Sequence, residues 1–229
     1  MTPSEPGRIH AAISAYAADL PWRNSRIRRW AKRALDLAVA APATVIALPI
    51  MAAVATAVRV TSPGPVWFRQ QRIGLDGELF TMWKFRTMRS DNADGSSFGR
   101  SEVTRQDPRL TPIGSLLRDS RLDELPQLFQ VLAGSMSLVG PRPDLVANLP
   151  AYADEQLVRF AMPPGCTAWT FTRGAFENDW ATRQAINVEY VKRWTLWLDV
   201  KVLLGTVRVL AAQHATSPTV AEVPTEVCA

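Results

Sequence analysis

The sequence predicts an α+β protein: a small, mostly helical domain with a short β-hairpin and an N-terminal re-entrant membrane helix. Three observations carry this expectation. Residues 37–58 hold no charged side chain, and about 20 such residues span a bilayer. VWFRQQRIG and ELFTMWKFRTM are β-prone segments on either side of an LDG turn. Most of the remaining chain shows apolar residues at helical spacing.

Along the chain, residues 1–30 are expected to form an N-terminal arm, 31–60 the membrane helix, 61–212 the main domain and 213–229 a disordered tail. The first 20 residues are small, lack a charge pattern and read as poorly ordered or weakly helical. Arg23, Arg26, Arg28, Arg29, Lys32 and Arg33 form a basic block ahead of the apolar run. Pro42 and Pro49 interrupt that run, and each removes a helical hydrogen bond. Arg59, Arg69 and Arg72 follow it, so both flanks carry the charge that favours the cytosol. A helix that enters one leaflet, bends at a proline and returns satisfies both facts, with hydroxyls such as Thr44 covering released backbone groups. A kinked spanning helix and a buried core helix are the alternatives.

After the TSPGP turn and the hairpin comes RSDNADGSSFGRSE, a polar loop. TPIGSLLRDS reads as a short helix capped by Thr111, with Pro112 at its first position. The next helix, RLDELPQLFQVLAG, has Leu125, Leu128, Phe129 and Leu132 on one face. If it starts at Asp123, Pro126 falls in the first turn and does no harm. Residues 151–160 look helical and end at Pro163-Pro164-Gly165. CTAWTFT suits a strand, and 181–212 reads as one long helix.

The chain has 229 residues and a net charge of +5, which suits an anionic partner. Cys166 and Cys228 make no metal-type pair, and His10 and His214 lie near the ends. Chemistry therefore falls to carboxylates with Lys and Arg around them, and a hard cation such as Mg²⁺ suits that donor set. Asp123 and Glu124 are adjacent acids. As an N-cap, Asp123 would sit in the positive field of free N–H groups, which depresses its pKa. An aspartate cap needs no chemistry, but the cations argue for a phosphate site. Lys84 and Arg86 alternate on a strand and share a face. Arg118 precedes the acids. Pro141 and Pro143 hold Arg142 in a rigid turn, a geometry suited to phosphate oxygens.

These blocks resemble the bacterial sugar transferases, the small monotopic phosphoglycosyltransferases. The match runs over about residues 30–210: KRALDLAVAAP, WFRQQRIGLDGELFTMWKFRTM, DPRLTPIGSLLR, LDELPQLFQVLAGSMSLVGPRPD and YVKRWTLWLDVKVL. The resemblance implies transfer of a sugar-1-phosphate from a nucleotide diphosphate sugar, usually a UDP-sugar, to undecaprenyl phosphate. It assigns Asp123 as nucleophile and Glu124 as its partner, assisting with the metal or with deprotonating the acceptor. The expected site is then Asp123 and Glu124 near Mg²⁺, with Lys84, Arg86, Arg118, Pro141 and Arg142 as substrate contacts. It implies a cytosolic-face location on the bacterial inner membrane, a lipid bilayer and downstream glycosyltransferases as partners, and no nucleic acid. Where the family often reads RPGITGWAQVNGR, this chain has PPGCTAWTFTRGA, so Pro163, Phe171, Arg173 and Ala175 depart from the pattern. Asn187 stands where an Asp precedes Tyr190, and Ser135 where an acid is usual. A drifted, non-catalytic assembly protein of the same fold and a water-using hydrolase are the competing readings.

Overall fold

The computed structural model describes residues 4–89, 107–174 and 180–215. Residues 90–102 of the predicted polar loop, Ala175 and all but the first residues of the predicted tail lie outside them. Helix α1, Ser4–Ala15, is no loose arm. Ile9, Ala12 and Ile13 recur at helical spacing and are buried in the main core with Leu157, Val158 and Tyr152. Arg8 ties the helix down through Asp154 at 2.6 Å and the Tyr152 carbonyl at 3.1 Å.

Helix α2 runs unbroken from Arg26 to Thr61 with Pro42 and Pro49 inside it. The Ser25 hydroxyl caps it, accepting from the Arg28 N–H at 3.3 Å. Lys32, Asp36, Ala40, Thr44, Ala47, Met51, Val54 and Val58 form one buried stripe at intervals of three and four. The opposite faces leave Ile27, Trp30, Val45 and Ile46 bare. The Thr44 hydroxyl bonds the Ala40 carbonyl at 2.6 Å, not the Ala38 or Val45 carbonyls that the prolines release. Both ends of α2 rest on the same domain. Arg33 reaches the Leu132 carbonyl at 2.6 Å, while Val54 and Val58 pack with Phe85 and Leu117.

Strands β1, Trp67–Ile73, and β2, Leu79–Phe85, form the predicted hairpin. Asp76 and Gly77 take positive φ at its turn, 55° and 84°. Helices α3, Gly114–Asp119, and α4, Gln127–Ala133, follow. Thr111 does not cap α3, which starts two residues beyond Pro112. Gly114 instead packs on the Thr87 carbonyl, which a Cβ would meet at 2.2 Å. Strands β3, Ser137–Val139, and β4, Asp144–Leu145, come next. The short β4 pairs with β1 and makes the hairpin a three-stranded sheet of order β2-β1-β4. Residues 146–151 and 154–161 are tight 3₁₀ turns.

The predicted CTAWTFT strand is half right. Strand β5 is only Gly165–Thr167, parallel to β3, and α5, Trp169–Thr172, is helical. The predicted single helix over 181–212 is two, α6, Trp180–Lys192, and α7, Leu196–Ala215. Thr195 restarts the chain, its hydroxyl accepting from the Leu198 N–H at 3.1 Å. Trp194, at the break, is buried. Helix α7 also carries order to Ala215, past the predicted start of the tail at 213.

Candidate active site

The acidic pair sits in a sharp turn between α3 and α4. Arg121 takes φ 59°, a costly conformation for a non-glycine residue. A 3₁₀ turn over Leu122–Glu124 follows, and α4 begins only after Pro126. Asp123 is therefore not a helix cap, and no side-chain cap bond is made there. Leu122 and Leu125 anchor the turn in the apolar cluster under β2, while Asp123 and Glu124 line a cavity of about 410 Å³.

Cations surround the pair. Lys84 on β2 donates to Glu124 Oε1 at 2.5 Å, and Arg142 Nη2 donates to the same oxygen at 3.0 Å. Arg142 is placed by the turn after β3. There Gly140 lies so close to the Pro163 carbonyl that a Cβ would meet it at 2.4 Å. Arg118 Nε donates to Thr87 Oγ1 at 2.9 Å and lines the cavity. Burial alone would raise the Glu124 pKa, but Arg142 and Lys84 outweigh it and hold the carboxyl well below the usual range. Asp123 behaves oppositely. Burial raises its pKa, Lys84 opposes, and the Glu124 charge raises it further. The predicted depression of the Asp123 pKa is thus reversed, because desolvation replaces the helix-end field. Among the described residues no donor hydrogen-bonds the Asp123 carboxyl.

The site therefore holds Asp123, Glu124, Lys84, Arg118 and Arg142 together, with Pro141 in the turn that carries Arg142. Arg86 also borders the cavity but is 2% exposed. Its Nη2 donates to the Ser62 carbonyl at 2.8 Å and its Nη1 to the Pro63 carbonyl. It staples the end of α2 to the sheet, so two of its donors are spent on backbone carbonyls while it lines the cavity. Sequence reasoning passed over Phe68, Gln70 and Arg72 on β1. They share the face of Lys84, since Phe68 lies opposite Lys84 and Gln70 opposite Met82. Their period-two spacing was the available signal. Arg173 does not join them. It stacks on Trp169 and pairs with Glu189 at 3.1 Å.

Glu124→Gln tests the electrostatics directly. The folded pKa of Glu124 lies below the unfolded value, so its stabilisation is present above about pH 4.3. It is lost as pH falls through the folded value. The variant is expected to lose about 1.5–3 kcal/mol at pH 7, the scale of hydrogen bonds to a charged group. Urea denaturation at pH 7 checks this; an unchanged midpoint would show that the Lys84–Glu124–Arg142 cluster contributes nothing.

A carboxylate pair ringed by Lys and Arg, on a domain fixed to a long apolar helix, makes a site whose charge suits a phosphate-bearing ligand. Residues 27–213 match the family of bacterial sugar transferases, and the chain belongs to that family. It is 38% identical over 191 residues to the UDP-glucose:undecaprenyl-phosphate glucose-1-phosphate transferase of Escherichia coli, covering 80% of this chain and 40% of that one. A protein of that name from Caulobacter vibrioides is 40% identical, with 77% of this chain and 68% of the relative covered. The undecaprenyl-phosphate galactose phosphotransferase of Salmonella typhimurium is 36% identical, over 81% of this chain and 41% of the relative. The chain thus spans under half the length of the E. coli and Salmonella proteins.

Proposed function

We propose that this protein transfers a sugar-1-phosphate from a nucleotide diphosphate sugar, a UDP-sugar, to undecaprenyl phosphate. The reaction would be the first membrane step in assembling an exopolysaccharide, capsule, O-antigen or protein-linked glycan, feeding downstream glycosyltransferases. The observation that carries it is the unlike state of the two acids. Glu124 is clamped by two cations, while Asp123 is buried among charges with no hydrogen bond from the described residues.

In the proposed first step an Asp123 carboxylate oxygen attacks the β-phosphorus of the donor. The bond from that phosphorus to the bridging oxygen breaks, and the nucleoside monophosphate leaves with the electron pair. An aspartyl phosphosugar remains. In the second step a phosphate oxygen of undecaprenyl phosphate attacks the same phosphorus and returns Asp123 as carboxylate. Lys84 and Arg142 face the charge that builds on phosphate. The raised proton affinity of Asp123 makes it a better nucleophile once ionised.

Asp123 and Glu124 fit Mg²⁺, which is bound through one or two carboxylates and substrate phosphates rather than an all-protein cage. The described residues contain no cluster of three or more His, Cys, Asp and Glu that would form such a cage. When bound, the ion would neutralise charge on the diphosphate.

Both ends of α2 rest on one domain, which supports the re-entrant reading and a cytosolic-face location. Cysteines at His10 and Gln71, with Cys166 and Cys228 changed to Ser, are expected to resist an impermeant thiol reagent on intact cells. Both should label after permeabilisation. Labelling of one alone on intact cells means that α2 spans.

Reconstituted protein given a panel of nucleotide sugars is expected to release nucleoside monophosphate repeatedly only when undecaprenyl phosphate is present. Continuous release without lipid would mean hydrolysis. No release with any donor would mean an assembly protein of this fold.

A further inference from the structure

A second cavity, of about 230 Å³, adjoins the catalytic one and shares Arg72 and Arg142 with it. Its wall is strongly cationic. Arg72, Arg142, Arg159 and Arg183 line it against a single carboxylate, Asp144. That carboxylate is already engaged: it accepts from the Leu145 N–H and from Asn148 Nδ2, both at 2.7 Å, and from the Tyr152 hydroxyl. Arg159 is 2% exposed. Its Nη1 donates to the Tyr152 hydroxyl at 2.5 Å and to Gln184, and its Nη2 to the Arg142 carbonyl. Its Nε is buried without a hydrogen-bond partner. The site is therefore built from buried polar groups and has a positive excess that its own acid does not cancel.

Helix α6 completes it. Trp180, Arg183, Gln184 and Asn187 lie at i, i+3, i+4 and i+7, one face of the helix, and all line the cavity. The Trp180 ring is held edge-on by Tyr152, with centroids 4.9 Å apart. Among the described residues Arg183 pairs with no acid. Arginines beside an aromatic ring suit a ligand that joins an anion to a flat ring.

We propose that this second cavity holds the nucleoside monophosphate part of the donor, the ring system against Trp180 and the phosphate between Arg183 and the shared Arg72–Arg142 wall. This rests on the proposed transferase reading and adds the location of the leaving group. The sugar phosphate then lies on the Asp123 side of the wall, and the bond that breaks is the one at the junction of the two cavities. Neither Trp180 nor Arg183 borders the catalytic cavity, so their substitution leaves the acids and their cations in place.

The test is calorimetric titration of the full chain in detergent with UMP, uridine and inorganic phosphate. The wild type is expected to bind UMP more tightly than either fragment. Arg183→Gln should weaken UMP about tenfold or more, the scale of one charge-assisted hydrogen bond. Trp180→Ala should weaken UMP and uridine about fivefold or more. The KM for undecaprenyl phosphate should not move in Arg183→Gln. UMP binding that is unchanged in Arg183→Gln overturns the proposal, and so does a shift confined to inorganic phosphate or to the lipid KM. Failure of the transferase reading is separate: it appears as absent nucleotide release in a wild type that still binds UMP through Arg183. If Trp180→Ala does not fold, Arg183→Gln alone decides.

Discussion

Asp123→Asn is expected to abolish turnover and the covalent adduct while making the protein more stable. The loss follows from chemistry. An amide lacks the anionic oxygen that attacks phosphorus, and a missing covalent nucleophile costs about 10⁴-fold or more in rate. The gain follows from the site. Burial opposes the charge on Asp123, and the neighbouring Glu124 charge adds to the penalty that Lys84 only partly relieves. A raised folded pKa means that the native state holds the proton more tightly than the unfolded chain. The contribution of Asp123 is therefore most favourable below its unfolded pKa and is lost as pH rises through the folded value. At neutral pH the ionised group is a net cost, which asparagine removes. Intact-protein mass spectrometry, with donor and Mg²⁺ but no lipid, should show a sugar-phosphate adduct on the wild type only. Adduct yield in the wild type should fall as the solution is acidified through the raised pKa. Thermal melting at pH 7 should place the variant above the wild type. An adduct on Asp123→Asn would end the assignment of Asp123 as nucleophile.

That raised pKa was not legible in the sequence, and the reason is physical. Asp123 next to a helix containing an early proline suggests a cap, whose field lowers a pKa. Burial depends on Leu122 and Leu125 finding the cluster made by Val54, Val58 and Phe85, which are distant in sequence. Arg86 shows the same limit. Strand alternation puts Lys84 and Arg86 on one face, but the carbonyls of Ser62 and Pro63 claim the Arg86 guanidinium. Short-range signals fared better. The LDG turn, the long α2 and Gly134, which ends α4 at φ 91°, could all be read directly. Helix α1 could have been read as well, since Ile9, Ala12 and Ile13 already show helical spacing. Strand β4 could not, because two residues carry no periodicity and their partner on β1 is remote.

Lys32→Ala is expected to be among the most destabilising single changes in the chain. Lys32 Nζ donates to Asp199 Oδ2 at 2.6 Å and to the Val139 carbonyl at 2.9 Å. The two side chains are 3% and 1% exposed. Asp199 Oδ1 also accepts from the Tyr190 hydroxyl at 2.6 Å and from Trp194 Nε1 at 3.1 Å. Four hydrogen bonds thus join α2, β3, α6 and α7 around one buried charge pair. Removing Lys32 leaves the Asp199 carboxylate buried with only neutral donors, which costs about 3–5 kcal/mol. Lys32→Met combined with Asp199→Leu should recover much of that, because both charges go together. The effect should reach the site as well. Val139 directly precedes Gly140, Pro141 and Arg142, so the cation on α2 fixes the strand end from which Arg142 reaches Glu124. Asp36 reinforces the same strand by accepting from Ser137 Oγ at 3.0 Å and from the Leu138 N–H at 3.1 Å. At temperatures where Lys32→Ala remains folded, adduct formation should therefore slow even though no substrate-contacting residue has changed. The double variant separates the two effects: if stability returns and adduct formation stays slow, the bond to the Val139 carbonyl positions Arg142. If Lys32→Ala melts within about 1 kcal/mol of the wild type, the pair is not the clamp described, and α2 is held by its apolar stripe alone.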